Sequence, residues 1–172
     1  MRVFLFRHGP AGSRDPARWP DDAQRPLSST GEVRTERAAR GLARIADNAK
    51  LVLSSPLVRA HQTAKLLRTA LELEAPIETL DALAPGGSYR AIIQRLAQLK
   101  ANDTVYLVGH EPDLGKLLGV LVFGAPASSL PLKKAGAAEV VFNGSIRAGA
   151  GHLHLFLSPR VLRRMARKGS KV

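Results

Sequence analysis

The sequence lacks cysteine altogether: none occurs among its 172 residues. Disulfide frameworks, thiolate nucleophiles and cysteine-based zinc or iron–sulfur sites are therefore excluded. Long apolar runs are also missing, and the N-terminal run Val3–Phe6 is followed at once by Arg7. A secretory signal needs roughly 7–15 apolar residues and a membrane span about 20, so we expect a soluble, cytoplasmic protein without a membrane span.

Aromatic and acidic residues are both scarce. Aromatic residues make up 5% of the chain, which leaves few platforms on which single-stranded nucleic acid could stack. The 14 Asp and Glu are outnumbered by 26 Lys and Arg, giving a formal net charge of +12. Part of the excess lies in an acid-free C-terminal tail at about 160–172, with Arg160, Arg163, Arg164, Arg167, Lys168 and Lys171. Such a tail could bind an acidic partner, or it could be a solvated helix end.

The order of strand-like and helix-like segments predicts an α/β fold. Hydrophobic residues form 45% of the chain and charged residues 23%, ordinary values for a globular protein, and the length suits a single domain over residues 1–172. Apolar runs at 2–6, 51–53 and 104–108 read as buried strands separated by helices, and alternating segments at 138–143 and 152–157 read as an edge hairpin. We expect a three-layer α/β/α sandwich with a mostly parallel central sheet.

Local signals predict where the first two helices begin. Ser28 or Ser29 is expected to cap the first helix, because Ser29 and Glu32 match a capping box. Ser55-Pro56 is expected to cap and start the second helix, since proline is tolerated at the first helical position. A helix starting there would bring its positive N-terminal end to the end of the preceding strand.

Basic and imidazole side chains follow the ends of three predicted strands. Arg7 and His8 come after the first strand, Arg59 lies in the first turn of the helix after the second, and His110 follows the third. Open α/β sheets bind their ligands at the carboxyl ends of their strands. If the three strands are neighbours, these side chains converge on one small volume. Taken singly, each would more often be a structural histidine or a solvated arginine.

This set of side chains suits a phosphoryl group. Arginine presents paired donors that match phosphate oxygens, and it stays protonated at any ordinary pH. A neutral histidine can act as a nucleophile, while a second histidine can donate to the same oxygens. Cationic donors fixed around a transferring phosphoryl group stabilise its transition state. No carboxylate cage for a metal is recognisable, so we expect neither a metal nor a cofactor.

Four sequence blocks resemble the histidine phosphatase superfamily, the phosphoglycerate-mutase-like proteins. Phe4–Gly9 resembles the RHG signature of that family, and Leu27–Gly31 resembles its first helix entry. Ser54–Ala64 is similar to its S-S-P-x-x-R-A-x-Q-T-A block, and Val108–Pro112 resembles its late G-H motif. An RHG triplet alone is a weak signal, but these blocks in this order and spacing are specific.

The resemblance implies a phosphoglycerate-mutase-like fold and a role for each site residue. His8 would be the nucleophile that becomes phosphorylated. Arg7 and Arg59 would clamp the phosphoryl oxygens, and His110 would bind them and stabilise the transferring group. The chain looks most like the short phosphohistidine phosphatases of the family, because the segment between Arg59 and His110 has no room for the long capping insertion of the mutases.

One departure concerns the acid that protonates the leaving group in larger members of the family. The loop at 80–85 offers Asp81 as a candidate general acid, but the closer match to the acidic position is Ala82. Asp81 could equally be a solvent-facing loop residue. The short chain and the missing cap also argue against mutase activity.

Our leading hypothesis is a metal-independent phosphatase that forms a phosphohistidine intermediate on His8 and removes phosphate from phosphohistidine in a protein. Two alternatives stay open: a phosphatase of a small phosphorylated metabolite, and a non-catalytic module that binds phosphate or nucleic acid. The intact set of four site residues favours an enzyme. The binding module is favoured by a basic helix face that carries Arg34, Arg37, Arg40 and Arg44.

Overall fold

The computed structural model describes residues 1–46 and 48–166, which form one six-stranded sheet flanked by helices. The strands are β1 (Arg2–Arg7), β2 (Leu51–Ser54), β3 (Ile77–Thr79), β4 (Thr104–Gly109), β5 (Ala137–Val141) and β6 (His152–Leu157). The helices are α1 (Ser29–Leu42), α2 (Val58–Ala70), α3 (Tyr89–Ala97), α4 (Asp113–Phe123) and α5 (Pro159–Met165), with short 3-10 helices at Asp22–Gln24 and Asp81–Leu83.

The strand order across the sheet is β3-β2-β4-β1-β5-β6. The pairs β1–β4, β2–β4 and β2–β3 are parallel, whereas β5 runs antiparallel to both β1 and β6. The predicted mostly parallel sheet with an antiparallel edge hairpin is therefore confirmed. The three strands whose ends carry the candidate site residues, β2, β4 and β1, lie next to one another.

The alternation of side chains along β1 divides the core into two layers. Val3 and Leu5 pack with buried residues of α3 and α4 on one face of the sheet. Phe4 and Phe6 pack with buried residues of α1, α2 and α5 on the other face, where Phe4 stacks on Tyr106 with ring centroids 4.8 Å apart. Helices thus cover both faces, which confirms the predicted three-layer sandwich.

The N-cap residue of the first helix is Ser28, one residue before the Ser29 that the capping-box motif predicts. Ser28 has extended backbone angles, and its Oγ accepts a hydrogen bond from the N–H of Gly31 at 3.0 Å. The prediction that Ser29 and Glu32 form a capping box is therefore wrong, because Ser29 is already the first residue of the helix. The alternative cap, Ser28, is confirmed.

The second helix begins later than predicted. It starts at Val58 rather than at Pro56, and its N-cap residue, Leu57, makes no side-chain cap bond. The hydroxyl of Ser55 accepts a hydrogen bond from the N–H of Leu57 at 3.3 Å and also contacts the ring of His110. Ser55 therefore supports the turn and the site next to it instead of capping the helix.

The short C-terminal helix carries the first part of the predicted basic tail. It is capped by Ser158, and it ends at Met165. Arg167, Lys168 and Lys171 of the predicted basic tail lie outside the described residues. Within residues 1–46 and 48–166, no helix has both the length and the hydropathy needed to cross a membrane.

Candidate active site

Two histidines meet at the carboxyl edge of the sheet because β1 and β4 end in register. Arg7 pairs with Gly109 across the two parallel strands, and the N–H of His8 donates to the oxygen of Gly109 at 3.0 Å. The next residue on each strand is therefore a histidine facing its counterpart. The rings of His8 and His110 lie with their centroids 4.9 Å apart and are tilted by 53°.

These histidines line a cavity of about 610 Å³ together with the two predicted arginines, Arg7 and Arg59. The convergence that the sequence predicts for the four side chains is thus found. Other basic groups line the same cavity, namely Arg14, Arg25 and Lys134, and its carboxylates are Glu111 and Asp113. Asp81 is exposed and is not among the lining residues. No group of three His, Asp or Glu side chains suited to a metal occurs in the part of the chain that the structure describes.

The ring of His8 is held in one tautomer. Its Nδ1 lies 2.7 Å from the main-chain oxygen of Gly9, and because a carbonyl can only accept, Nδ1 carries the proton and Nε2 is left with a free lone pair in the neutral ring. Burial, together with the neighbouring His110, lowers the pKa of His8 to about 3. The imidazole is therefore neutral at physiological pH, as a nitrogen nucleophile must be.

The backbone after His8 is fixed by contacts with two helices. A Cβ on Gly9 would collide with the hydroxyl of Thr35 on α1, which explains why the residue after the histidine is glycine. The N–H of Gly9 donates to the hydroxyl of Thr63 on α2 at 3.1 Å. That hydroxyl in turn donates to the main-chain oxygen of Arg59 at 2.8 Å. The loop carrying His8 and the helix turn carrying Arg59 are therefore locked together.

His110 is buried beside the hydroxyl of Ser55. Its Nε2 lies 2.8 Å from Ser55 Oγ. Burial, together with the charges of Arg59 and Arg7, lowers the pKa of His110 to about 4. In the free protein the ring is therefore neutral. An anion bound among these cations would favour its protonation.

Arg59 is anchored by the loop that precedes α1. Its Nη1 donates to the main-chain oxygen of Asp22 at 2.7 Å, and its Nη2 donates to the Oδ2 atom of Asp22 at 2.9 Å. The other carboxylate oxygen of Asp22 accepts from Nε of Arg25 at 2.7 Å. Arg25 is itself 6% exposed and donates to the oxygen of Gly12 at 2.8 Å. One carboxylate thus joins two arginines at the rim of the cavity.

Arg7 is anchored on the opposite side by residue Leu132. Its Nη1 donates to the oxygen of Leu132 at 2.8 Å, while the N–H of Leu132 donates to Oε1 of Glu111 at 2.9 Å. Burial raises the pKa of Glu111, although the hydrogen bond from Leu132 and the charge of Arg7 oppose the rise. Glu111 and Arg7 therefore hold the same segment of chain from two directions.

Three nitrogens of this site have no hydrogen-bond partner. Within the described residues, the buried side-chain nitrogens that lack one are Nε of Arg7, Nε of Arg59 and Nδ1 of His110. A buried donor without an acceptor costs about 1–3 kcal/mol. All three belong to residues that line one cavity. The two arginine nitrogens are N–H donors, so an oxyanion there would supply the acceptors that the protein does not.

Three of the residues that shape the cavity were not singled out by the sequence analysis. Arg25 and Asp22 lie in a Pro-rich loop whose position depends on tertiary contacts, including the bond from the N–H of Leu27 to Gln62 at 2.8 Å. Glu111 follows His110 directly, and this adjacency to a strand-end histidine was the available signal. The other two have no local pattern that distinguishes them from ordinary loop residues.

The mostly parallel sheet gathers two histidines and several arginines around one cavity. Such a set of side chains is suited to binding a phosphoryl group during its transfer. The comparisons identify the family more closely. The histidine phosphatase superfamily (branch 1) matches residues 3–84. The chain is 40% identical over 138 residues to an uncharacterised protein of Picosynechococcus sp., covering 79% of this chain and 82% of that one.

Two further comparisons concern a characterised relative. The chain is 32% identical over 127 residues to the phosphohistidine phosphatase SixA of Escherichia coli, covering 72% of this chain and 76% of SixA. A solved structure of the protein histidine phosphatase SixA complexed with tungstate superposes with a TM-score of 0.81 at 30% identity, covering 94% of this chain and 99% of that one. The chain belongs to the histidine phosphatase superfamily, and these likenesses support a phosphatase with the phosphoglycerate-mutase-like fold.

Proposed function

We propose that this chain is a phosphohistidine phosphatase that needs no metal and forms a covalent phosphoryl intermediate on Nε2 of His8. The observation that carries the proposal is the bond from Nδ1 of His8 to the oxygen of Gly9 at 2.7 Å. This bond fixes the proton on Nδ1 and leaves the Nε2 lone pair free. The lowered pKa of about 3 keeps the ring in that neutral form at physiological pH.

In the first step, Nε2 of His8 attacks the phosphorus of the substrate. A P–N bond to His8 forms, the bond between phosphorus and the leaving imidazole breaks, and its electron pair stays with that imidazole. The phosphorylated ring of His8 now carries a positive charge, which the oxygen of Gly9 stabilises by accepting from Nδ1. Arg7, Arg59 and His110 donate to the phosphoryl oxygens, where charge is spread in the transition state.

In the second step, water attacks the phosphorus and the P–N bond to His8 breaks. The electron pair of that bond returns to Nε2, and a proton of the attacking water passes to the inorganic phosphate or to solvent. The neutral tautomer of His8 is then restored with its proton still on Nδ1. The positive charge of the phosphorylated ring makes it a good leaving group, so this step needs no protonation of His8.

Phosphohistidine is the proposed substrate because its leaving group requires little help from an acid. A phosphorylated imidazole that carries a proton on its other nitrogen leaves as a neutral ring. The candidate acid Asp81 does not line the cavity, which fits a reaction without a dedicated proton donor. The similarity to SixA, a phosphohistidine phosphatase, supports the same choice. The partner proposed for the site is therefore a phosphorylated protein.

The test is hydrolysis of a protein carrying phosphohistidine labelled with ³²P, compared for the native chain and His8→Ala. The native chain should release phosphate, should do so equally in the presence of EDTA, and should yield a labelled protein after a quench at alkaline pH. His8→Ala should release no phosphate, because the variant lacks the nitrogen that is proposed to take the phosphoryl group. Release by His8→Ala at the native rate would overturn the proposed nucleophile.

The same assay separates the alternatives. Rapid hydrolysis of a small phosphorylated metabolite, with no activity on the phosphoprotein, would indicate a metabolite phosphatase that uses the same site. Binding of phosphate without turnover of phosphohistidine or of any phosphate monoester would indicate a binding module. The competitive oxyanions vanadate and tungstate should inhibit the native chain, because they match the donor set of the cavity.

A further inference from the structure

Five arginines line a cleft between α1 and α5, on a side of the molecule that the catalytic cavity does not use. The cleft has a volume of about 290 Å³, and it shares no lining residue with the cavity that contains His8. We call it the arginine cleft. Its lining residues are Arg34, Arg37, Arg160, Arg163 and Arg164.

The packing of the two helices brings these side chains together. A Cβ on Gly41 of α1 would collide with the main-chain oxygen of Leu162 on α5, so the helices touch at backbone distance. Leu162 is fully buried in the core layer beneath α1. Arg37 lies one turn before Gly41, and Arg163 directly follows Leu162. The close approach of the helices therefore brings basic side chains of both to the arginine cleft.

The arginine cleft has no internal charge compensation. None of the five arginine side chains forms an ion pair or donates a hydrogen bond within the described parts of the chain. Some arginines elsewhere do have an acidic partner: Arg40, on the same helix, binds Glu36 at 2.6 Å, and Arg95 binds Glu78 at 2.8 Å. Like charges gathered at one place repel one another. A ligand of opposite charge would relieve that repulsion.

The side chains around the cleft indicate the chemistry of the ligand. All five are arginines, whose planar forks match phosphate oxygens in pairs, and none is lysine. Among the residues that the structure describes, no aromatic or apolar residue lines the cleft, so they offer a nucleobase no ring to stack on and an acyl chain no apolar side chain to contact. We propose that the arginine cleft binds a compact soluble anion that carries several closely spaced phosphate groups.

Binding of inorganic tripolyphosphate, measured by isothermal titration calorimetry, tests this proposal. Saturating tungstate is present throughout to occupy the catalytic cavity. The native chain should bind one tripolyphosphate under these conditions. The double variant Arg34→Gln/Arg164→Gln removes one exposed arginine from each helix. It should raise the dissociation constant by about tenfold or more, because each change removes a charged donor. Arg90→Gln/Arg147→Gln is the matched control: it removes the same charge from exposed positions outside the cleft and should bind as the native chain does.

Further outcomes would overturn the proposal. These are loss of all tripolyphosphate binding once tungstate is present, or equal weakening in the control variant. Equally tight binding of poly-glutamate at the same salt concentration would show that the cleft does not select phosphate. Vesicles that contain a phosphoinositide bisphosphate distinguish the sources: capture by vesicles without binding of tripolyphosphate would assign the cleft to a membrane surface. Thermal unfolding of both double variants checks that they are folded.

Discussion

Arg59 donates two hydrogen bonds to a single residue, Asp22, one to its main-chain oxygen at 2.7 Å and one to its Oδ2 atom at 2.9 Å. These bonds occupy both terminal nitrogens of a guanidinium that is 3% exposed. Asp22 is ionised, because its bond with Arg25 and the charge of Arg59 lower its pKa. The loop before α1 therefore orients an arginine that is carried by α2.

We expect Asp22→Ala to lower kcat/KM by about tenfold, because Arg59 and Arg25 each lose one charge-assisted hydrogen bond that solvent partly screens. Asp22→Asn should fall between Ala and the native chain, since it keeps an acceptor oxygen without the charge. Steady-state hydrolysis of p-nitrophenyl phosphate measures both. Asp15→Ala, an exposed carboxylate of the same loop, should have no effect. A rise in kcat/KM for Asp22→Ala would show that Asp22 competes with the substrate for Arg59.

The guanidinium of Arg59 should not be replaceable by the ammonium of a lysine. We expect Arg59→Lys to lower kcat/KM by about 10²–10³, as is common when one fixed donor to developing charge is removed, because an ammonium lacks the planar pair of donors that a guanidinium presents to two phosphate oxygens. Arg40→Lys on α1, an exposed and ion-paired arginine, is the matched control and should be neutral. An active Arg59→Lys variant would show that Arg59 does not contact the phosphoryl group.

The positions of the proposed phosphate-binding residues on the fold could be predicted because they depend on strand ends. The apolar runs of β1, β2 and β4 are buried on both faces, and such runs are recognisable in the sequence alone. Once these strands are neighbours, the residues that follow them must lie together, and His8 and His110 do. The three-residue strand β3 was missed because only Ile77 in it is apolar, and its residues are mostly exposed.

The surroundings of those residues could not be predicted, because they depend on contacts between distant segments. Asp22 and Arg25 reach the cavity from a loop without a periodic pattern. Ser55 follows a strand, but its sequence position does not indicate that its hydroxyl contacts His110. Their positions depend on contacts such as the one between Asp22 and Arg59, 37 residues apart in sequence. Local propensity carries no information about such pairs.

Glu111 is expected to position Arg7 through Leu132. Glu111→Ala removes the acceptor for the N–H of Leu132, and we expect kcat/KM to fall by up to about tenfold, the value of one hydrogen bond. Glu111→Gln keeps an amide oxygen at the same place and should restore most of the activity. If the Gln variant is as impaired as the Ala variant, then the charge of Glu111, and not its hydrogen bond, is what matters.

The buried histidines should make the protein less stable in acid. In the unfolded chain a histidine has a pKa near 6.5, whereas burial lowers the pKa of His8 to about 3 and that of His110 to about 4. Between pH 6.5 and 4 the unfolded state therefore binds protons that the folded state does not. The free energy of unfolding should fall with decreasing pH by about 1 kcal/mol per pH unit for each histidine.

Urea unfolding at a series of pH values measures this slope. His8→Gln and His110→Gln should each reduce it between pH 6 and pH 4.5, because glutamine does not titrate. His154→Gln is the control, since that histidine is exposed on β6. Slopes that are identical in all four proteins would contradict the lowered pKa values.

The carboxylates that line the cavity do not include Asp81, which the sequence offers as a candidate general acid. Asp81 is exposed at the start of a short 3-10 helix and does not line the cavity. Asp113 does line it, and its Oδ1 and Oδ2 accept from the hydroxyl of Tyr89 at 3.4 Å and from the N–H of Gly86 at 3.2 Å. Both carboxylate oxygens of Asp113 thus accept from donors of the protein, and Asp81 lies outside the cavity. Neither carboxylate is therefore placed with a free oxygen directed at a leaving group.

Without a placed general acid, the chain should prefer substrates whose leaving group needs no protonation. A phosphorylated imidazole or p-nitrophenolate leaves without protonation, whereas an alkyl alcohol needs a general acid, whose contribution is typically ~10²–10⁴ in rate. We expect kcat/KM for phosphohistidine and p-nitrophenyl phosphate to exceed that for glycerol phosphate by about this factor. Asp81→Asn should change none of the three rates. A selective loss of glycerol phosphate hydrolysis in Asp113→Asn would identify Asp113 as an acid. If the native chain hydrolyses glycerol phosphate as fast as phosphohistidine, the site contains a proton donor, and a metabolite becomes the better substrate.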